Sequence, residues 1–285
     1  MINFAKRNLK IFFRDKTAVF FSLLAVFIVI GLYVLFLGDS LVSSMGDIEG
    51  ARYLMDSWIM AGILAVTPVS TILGSFGTMV DDKTKKIYKD FRCSPMKSSS
   101  IAGGYILSSF CVGIIMTVLA FILAEFYIVI SGGELLPFVS ILKILGVIVL
   151  TVIASSSMMY FIVSLINSQS AFTTVSTVIG TLIGFITGIY LPVGSTPEFV
   201  QYIIKLFPIS HSASLFRKIF MEDPMAQSFD GIPEKYITEF KIELGIEFKI
   251  NDWEISNLES IIFLLITTVV FYAIGIVITN RKKEK

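Results

Sequence analysis

The run AVFFSLLAVFIVIGLYVLFLG, residues 18–38, decides the class of this protein. None of its 21 positions is charged, and about 20 apolar residues in a helix cross a hydrocarbon core of roughly 30 Å. Basic residues precede it, as they would in a secretory leader. It is too long for a leader's apolar core, however, and Gly38-Asp39-Ser40 is a poor cleavage context. It therefore reads as a retained span. The composition around it agrees: of 285 residues, 55% are hydrophobic and 16% charged, against about 45–50% and about 25% in soluble domains. Mean hydropathy is +0.82, and two soluble domains built this way would lack the charge to stay in water. With 20 Gly, 8 Pro and 2 Cys, disordered, collagen-like and disulfide-rich classes are excluded as well. Cys93 falls in a basic loop and Cys111 in an apolar run, which predicts neither a disulfide nor a metal site. A net charge of +1 gives no electrostatic case for nucleic acid as a partner.

Five more stretches are long and apolar enough to span: 58–80, 101–130, 138–166, 171–191 and 260–279. Trp58 opens the second and suits an interface anchor. Lysine and arginine in the loops orient the set. Residues 1–16 hold Lys6, Arg7, Lys10, Arg14 and Lys16, the loop 81–100 holds six more, and the tail adds Arg281, Lys282, Lys283 and Lys285. That side carries fifteen basic residues against five acids, about +10, and the opposite side sums to about −8. Both termini are expected in the cytoplasm, which an even number of spans requires.

Residues 1–16 have the spacing of an amphipathic helix, with Ile2, Ala5, Leu9, Phe12 and Phe13 opposite Lys6, Arg7, Lys10 and Arg14. Such a helix lies in an anionic membrane interface; a plain positive flank that orients the first span is the simpler reading. The loop from Val80 to Pro95 runs from Asp81 and Asp82 through basic residues to a proline stop, which predicts a short helix. Ile87, Tyr88 and Phe91 form an apolar ridge on it, able to dock in a partner's groove; an ordinary topology-enforcing loop is the alternative. In the fifth span Gly180, Gly184 and Gly188 repeat G-x-x-x-G, flanked by Thr173, Thr177, Thr181 and Thr187. Small residues let helices approach and threonines line wet paths, within one subunit or between two. Thr67, Ser70 and Thr71 add hydroxyls around Pro68 in the second span. Glu125 is the one acid deep inside a predicted span; it is a functional candidate or the structural partner of Lys143. Residues 192–257 are too polar to span, and predict short helices at the outer face followed by an acidic cap. His211, the sole histidine, has no second ligand near it in sequence.

This order of features resembles the permease subunit of an ABC-2 type ABC exporter. Asp82, Lys83, Phe91, Pro95 and Gly104-Tyr105 match the family's order around its coupling helix, and Phe207-Pro208-Ile209-Ser210-His211 resembles its proline motif between spans five and six. The family often carries a glycine near Lys86 or Ile87, and this chain has none. The resemblance covers essentially the whole chain as a single domain. It implies an all-α integral membrane protein with six transmembrane helices, an N-terminal interfacial amphipathic helix, a cytoplasmic coupling helix, and an extracellular segment between helices 5 and 6 that dips back into the outer leaflet. It further implies pairing with a second permease chain, identical or paralogous, along spans one and five, with the translocation path where spans one, two and five meet. The coupling residues would be Asp82, Lys83, Ile87, Tyr88, Phe91 and Pro95.

The chain has no G-x-x-x-x-G-K-[ST], H-E-x-x-H or G-x-S-x-G motif. It is therefore expected to be a transport subunit rather than an enzyme, without a cofactor of its own. ATP and magnesium would bind a separate cytosolic ABC ATPase. Expected cargo is amphiphilic: a drug, peptide or lipid-like molecule. The competing reading is an ion-coupled secondary transporter using Glu125, and a membrane anchor for a sensor or assembly complex is a third. Abundant Ile, Lys and Phe with little His or Trp suggest an AT-rich bacterial source and a bacterial cell membrane.

Overall fold

The computed structural model describes residues 1–46, 48–94, 96, 98–250 and 253–281. Helix α1 (Ile2–Arg14) is followed at once by α2 (Lys16–Leu32), whose first turn is capped by Asp15 Oδ1 accepting from the Ala18 amide at 2.9 Å. A wider, π-type turn over Tyr33–Leu37 leads into α3 (Gly38–Ser44). Helix α4 (Ala51–Thr84) comes next, then the short α5 (Ile87–Cys93), α6 (Ser98–Ile130), α7 (Phe138–Leu165) and α8 (Gln169–Ile186). Four helices occupy the polar region, α9 (Glu198–Leu206), α10 (Pro208–Phe220), α11 (Glu222–Ser228) and α12 (Glu234–Glu243). A two-residue antiparallel ribbon, β1 (Lys249–Ile250) with β2 (Trp253–Glu254), pairs Lys249 with Glu254 before the last helix, α13 (Asn257–Arg281).

Six helices among the described residues are long and apolar enough to cross a membrane: Lys16–Phe36, Ala51–Thr84, Ser99–Ile130, Phe138–Leu165, Gln169–Ile186 and Asn257–Thr279. One end of the bundle, the basic end, carries α1, α5 and the close of α13; the other, the acidic end, carries α9 to α12. Helix α4 is the hub. At 34 residues it is about 50 Å long, overreaching the hydrocarbon, and it packs on α2, α6, α7, α8 and α10. Close approach to α6 and α7 needs a missing side chain at Gly113, where a Cβ would sit 2.9 Å from both Ile72 and Val152. The lipid-facing surface is apolar, with Phe20, Phe21, Phe126 and Val269 exposed.

Two expectations change here. Trp58 is not a lipid-interface anchor: α4 begins seven residues earlier, Trp58 is 1% exposed, and its indole donates to the Leu244 carbonyl at 2.9 Å. The fifth span also ends early. Helix α8 stops at Ile186, where Gly188 (φ +68°) closes a left-handed cap with Ile189 N–H to Gly184 O at 2.9 Å and Gly188 N–H to Phe185 O at 3.1 Å. Helix α10, too polar for a span, nevertheless enters the bundle and packs on α4, α7 and α13. Two of its serines help by donating to carbonyls, Ser210 to Ile186 at 2.8 Å and Ser214 to Ile246 at 2.6 Å, while the buried Ser212 hydroxyl has no partner among the described residues.

Candidate functional site

At the basic end the chain builds a clamp around one carboxylate. Asp82, in the last turn of α4, is buried. It accepts from Arg7 Nη1 at 2.7 Å and Nη2 at 2.9 Å, a bidentate pair, and from the Tyr105 hydroxyl at 2.6 Å. The hydrogen bond to Asp82 raises the Arg7 pKa above its ordinary value, outweighing partial burial. Above this pair lies an aromatic knot. Phe4 meets Phe91 and Tyr105 edge-on, each at 5.0 Å, and the Arg7 guanidinium lies 5.0 Å from the Phe91 ring. Gly104 lets α1 lie down, since a Cβ there would come within 2.6 Å of Phe4 Cδ1.

The clamp revises the sequence reading of both segments. Helix α1 buries Phe4, Ala5, Asn8 and Phe12 against protein, while Ile2 and Phe13 of the expected apolar face stay exposed. The short helix does not start at Asp81 and Asp82, which end α4. It starts at Ile87, after Lys86 turns the chain with φ +64°. That is the left-handed conformation a glycine would adopt freely, so the missing glycine is replaced by a strained lysine. Of the six coupling candidates, Asp82 and Phe91 face inward to α1, and Lys83 and Ile87 are half-buried. The side chain of Tyr88 and all of Pro95 lie outside the described residues. Asp90 and Cys93 are exposed on α5.

Between α2, α4 and α8 lies a narrow cleft of about 60 Å³, lined by Ser22, Val26, Thr67, Ser70, Gly180, Gly184, Ile189 and Tyr190 among others. It unites four of the ten path or interface candidates, Thr67, Ser70, Gly180 and Gly184. Thr71 is buried away from it, its hydroxyl on Thr67 O at 2.9 Å. Thr173, Thr177 and Thr181 are exposed and bond their own helix four residues back. Thr187 is buried on Ile183 O at 2.7 Å. The three glycines do not form one helical face. Gly180 has open space beside it, a Cβ on Gly184 would strike the Tyr190 ring, and Gly188 lies beyond the helix end.

At the acidic end, Arg217 on α10 is fully buried and forms no ion pair with a carboxylate among the described residues. Its guanidinium donates to Gly188 O at 2.7 Å, Thr187 O at 3.2 Å and Gly245 O at 3.4 Å, and lies 4.9 Å from the Trp58 ring. Burial pushes its pKa down to about 9, which leaves it charged at neutral pH. It ties the end of α8, the loop after α12 and the hub helix together. In sequence Arg217 trails the proline motif Phe207-Pro208-Ile209-Ser210-His211, and the signal available was its charge and that of Lys218 within Ser212–Phe220, otherwise serines and apolar residues. The expected pair of Glu125 with Lys143 does not form. Glu125 Oε2 accepts from the Leu136 amide at 3.2 Å, its other oxygen has no partner among the described residues, and Lys143 reaches Glu222 at 3.6 Å.

Residues 46–277 match the sequence family described as ABC-2 family transporter protein. Nodulation protein J of Rhizobium meliloti (strain 1021) is 22% identical over 204 residues, 68% of this chain and 72% of the relative. Nodulation protein J of Rhizobium leguminosarum bv. trifolii is 25% identical over 204 residues, with the same shares of each chain.

Proposed function

Since the chain belongs to the ABC-2 transporter family, we propose that it is the membrane-spanning subunit of an ATP-driven exporter whose hydrolysis runs on separate cytosolic ABC ATPase subunits. The basic end faces the cytoplasm, as the excess of Lys and Arg there favours, in a bacterial cell membrane. Two permease chains pair along spans one and five, placing the cleft of each beside the other's exposed Gly180–Thr181 surface. The cargo is an amphiphile, a drug, peptide or lipid-like molecule. ATP and magnesium belong to the partner.

The observation that carries this reading is the continuity of α4. Its basic end is clamped through Asp82 to α1, which also holds α5, and twelve residues earlier Ser70 lines the cleft. Those twelve residues span about 18 Å of one helix, so displacement of α5 by a nucleotide-driven partner moves the wall of the path. Ile87 and the exposed Asp90 are the surface offered to that partner, and Asp82 and Phe91 transmit the movement to α4 and α1. Export from proteoliposomes holding this chain and an ABC ATPase tests it. The expected result is transport that stops when ATP is withheld and survives Glu125→Gln. Transport that persists without ATP and is lost in Glu125→Gln would instead identify an ion-coupled carrier.

A further inference from the structure

At the acidic end, apart from the cleft, α7, α10 and α13 enclose a groove of about 1070 Å³ with α11 and α12 along its rim. Sites that hold a small molecule run to about 300–1,000 Å³, so this one is at their upper limit. Its lining is ordered by depth. On α7 the residues facing it are Lys143, Gly146, Val147 and Leu150, one helical stripe about 10 Å long with the charge nearest the helix start. On α13 the order repeats, Asn257 first and Ile261 one turn deeper. Both helices enter the membrane from the acidic end, so the polar rim lies at the headgroup level and the apolar floor at the acyl level. Exposed Leu142 and Leu145 on α7, and Ile262 and Leu265 on α13, continue the apolar surface outward from the groove.

The rim has balanced charge. Lys143 pairs with Glu222 at 3.6 Å and Lys241 with Glu247 at 3.3 Å. That leaves Lys218 and Asp230, neither of which forms an ion pair among the described residues. The Lys218 ammonium donates to Asn257 Oδ1 at 2.6 Å, and burial pushes its pKa below the ordinary lysine range although Glu247 and Glu254 act on it from the rim against Lys241. The carboxylates nearby therefore do not offset the cost of its burial, and an anionic group in contact with it would be stabilising.

We propose that this groove binds a zwitterionic glycerophospholipid, phosphatidylethanolamine, from the leaflet at the acidic end. Its phosphate sits at Lys218, its amine faces Asp230, and one acyl chain lies along Gly146, Val147, Leu150 and Ile261. A headgroup of single negative charge leaves Asp230 unmatched, and a lipid without phosphate leaves Lys218 unmatched.

The test uses the full chain in phosphatidylcholine vesicles carrying a small fraction of a lipid with a photoreactive acyl chain, as phosphatidylethanolamine, phosphatidylglycerol or diacylglycerol. Adducts are mapped by peptide mass spectrometry. Phosphatidylethanolamine is expected to label residues 146–150 and 261 roughly tenfold more than diacylglycerol, the ratio that one good polar contact supplies, and more than phosphatidylglycerol. A Cβ at Gly146 meets nothing within 4 Å, so Gly146→Trp directs a large ring into the groove and is expected to abolish that labelling. Lys218→Met is expected to reduce it several-fold, while labelling of the lipid-exposed Phe20 and Phe21 on α2 stays unchanged in both variants. Equal labelling by the three lipids, labelling that survives Gly146→Trp, or crosslinks from Lys143 or Lys218 to a second copy of the chain would overturn the proposal.

Discussion

Lys86 holds φ +64° with a side chain attached, and for an L-residue that conformation costs about 1–2 kcal/mol. Glycine relieves the strain but gives back part of the gain through a freer unfolded chain. Lys86→Gly is therefore expected to stabilise the protein by about 0.5–1 kcal/mol, seen as a higher midpoint of thermal unfolding in detergent. His211 gives a pH dependence with a definite sign. Nε2–H donates to Lys205 O at 2.9 Å, which leaves Nδ1 to accept from Ser260 Oγ at 3.2 Å, and burial lowers the folded-state pKa. Below the unfolded value of about 6.5 the unfolded chain takes up a proton that the folded chain refuses. Stability should then fall with decreasing pH, by at most about 1.4 kcal/mol per unit. Denaturation series at several pH values should show that slope in the native chain and lose it in His211→Gln.

At the scale of elements, α8 separates two roles that one glycine pattern had merged. Gly180→Leu points into open space and is expected to change single-chain stability by less than about 0.5 kcal/mol while weakening association of two permeases. Gly184→Ala meets Tyr190 of its own chain and should destabilise by about 1–3 kcal/mol. Unfolding in detergent and crosslinking in membranes read the two effects independently. The spans themselves were legible because hydropathy records the solvent each helix meets. The end of α8 was not, because a glycine four residues after Gly184 looks the same whether it continues the helix or caps it. Trp58 misled for a similar reason: an amphipathic ring suits a membrane interface and a buried pocket beside Arg217 equally well. Nor could spacing reveal the clamp, since Arg7 and Asp82 are 75 residues apart and α1 meets α4 only once α6 supplies Gly104 and Tyr105. Cation–π and carboxylate contacts of that kind are properties of the packed chain.

For the whole molecule, orientation is the property on which the transport reading depends, and the chain carries its own reporter. Cys93 is exposed on α5 and Cys111 is part-buried within a span. A membrane-impermeant maleimide should label Cys93 in inside-out vesicles and leave it unlabelled in right-side-out ones; the reverse pattern would invert the assignment of the cytoplasmic face.

Arg217 has a consequence for what happens between transport cycles. Its guanidinium is held by backbone carbonyls, beside Gly62, where a Cβ would meet both Arg217 and Ile189 of the cleft lining. A fixed positive charge in a low-dielectric wall raises the energy of any small cation beside it. On the transport reading proposed above, protons and sodium would be repelled from the cleft while cargo gives way to water. Vesicles carrying Arg217→Met should dissipate an imposed proton gradient faster than vesicles carrying the native chain. The same residue that ties three elements together would then act as electrical insulation, letting the protein rest in an energised membrane without discharging it.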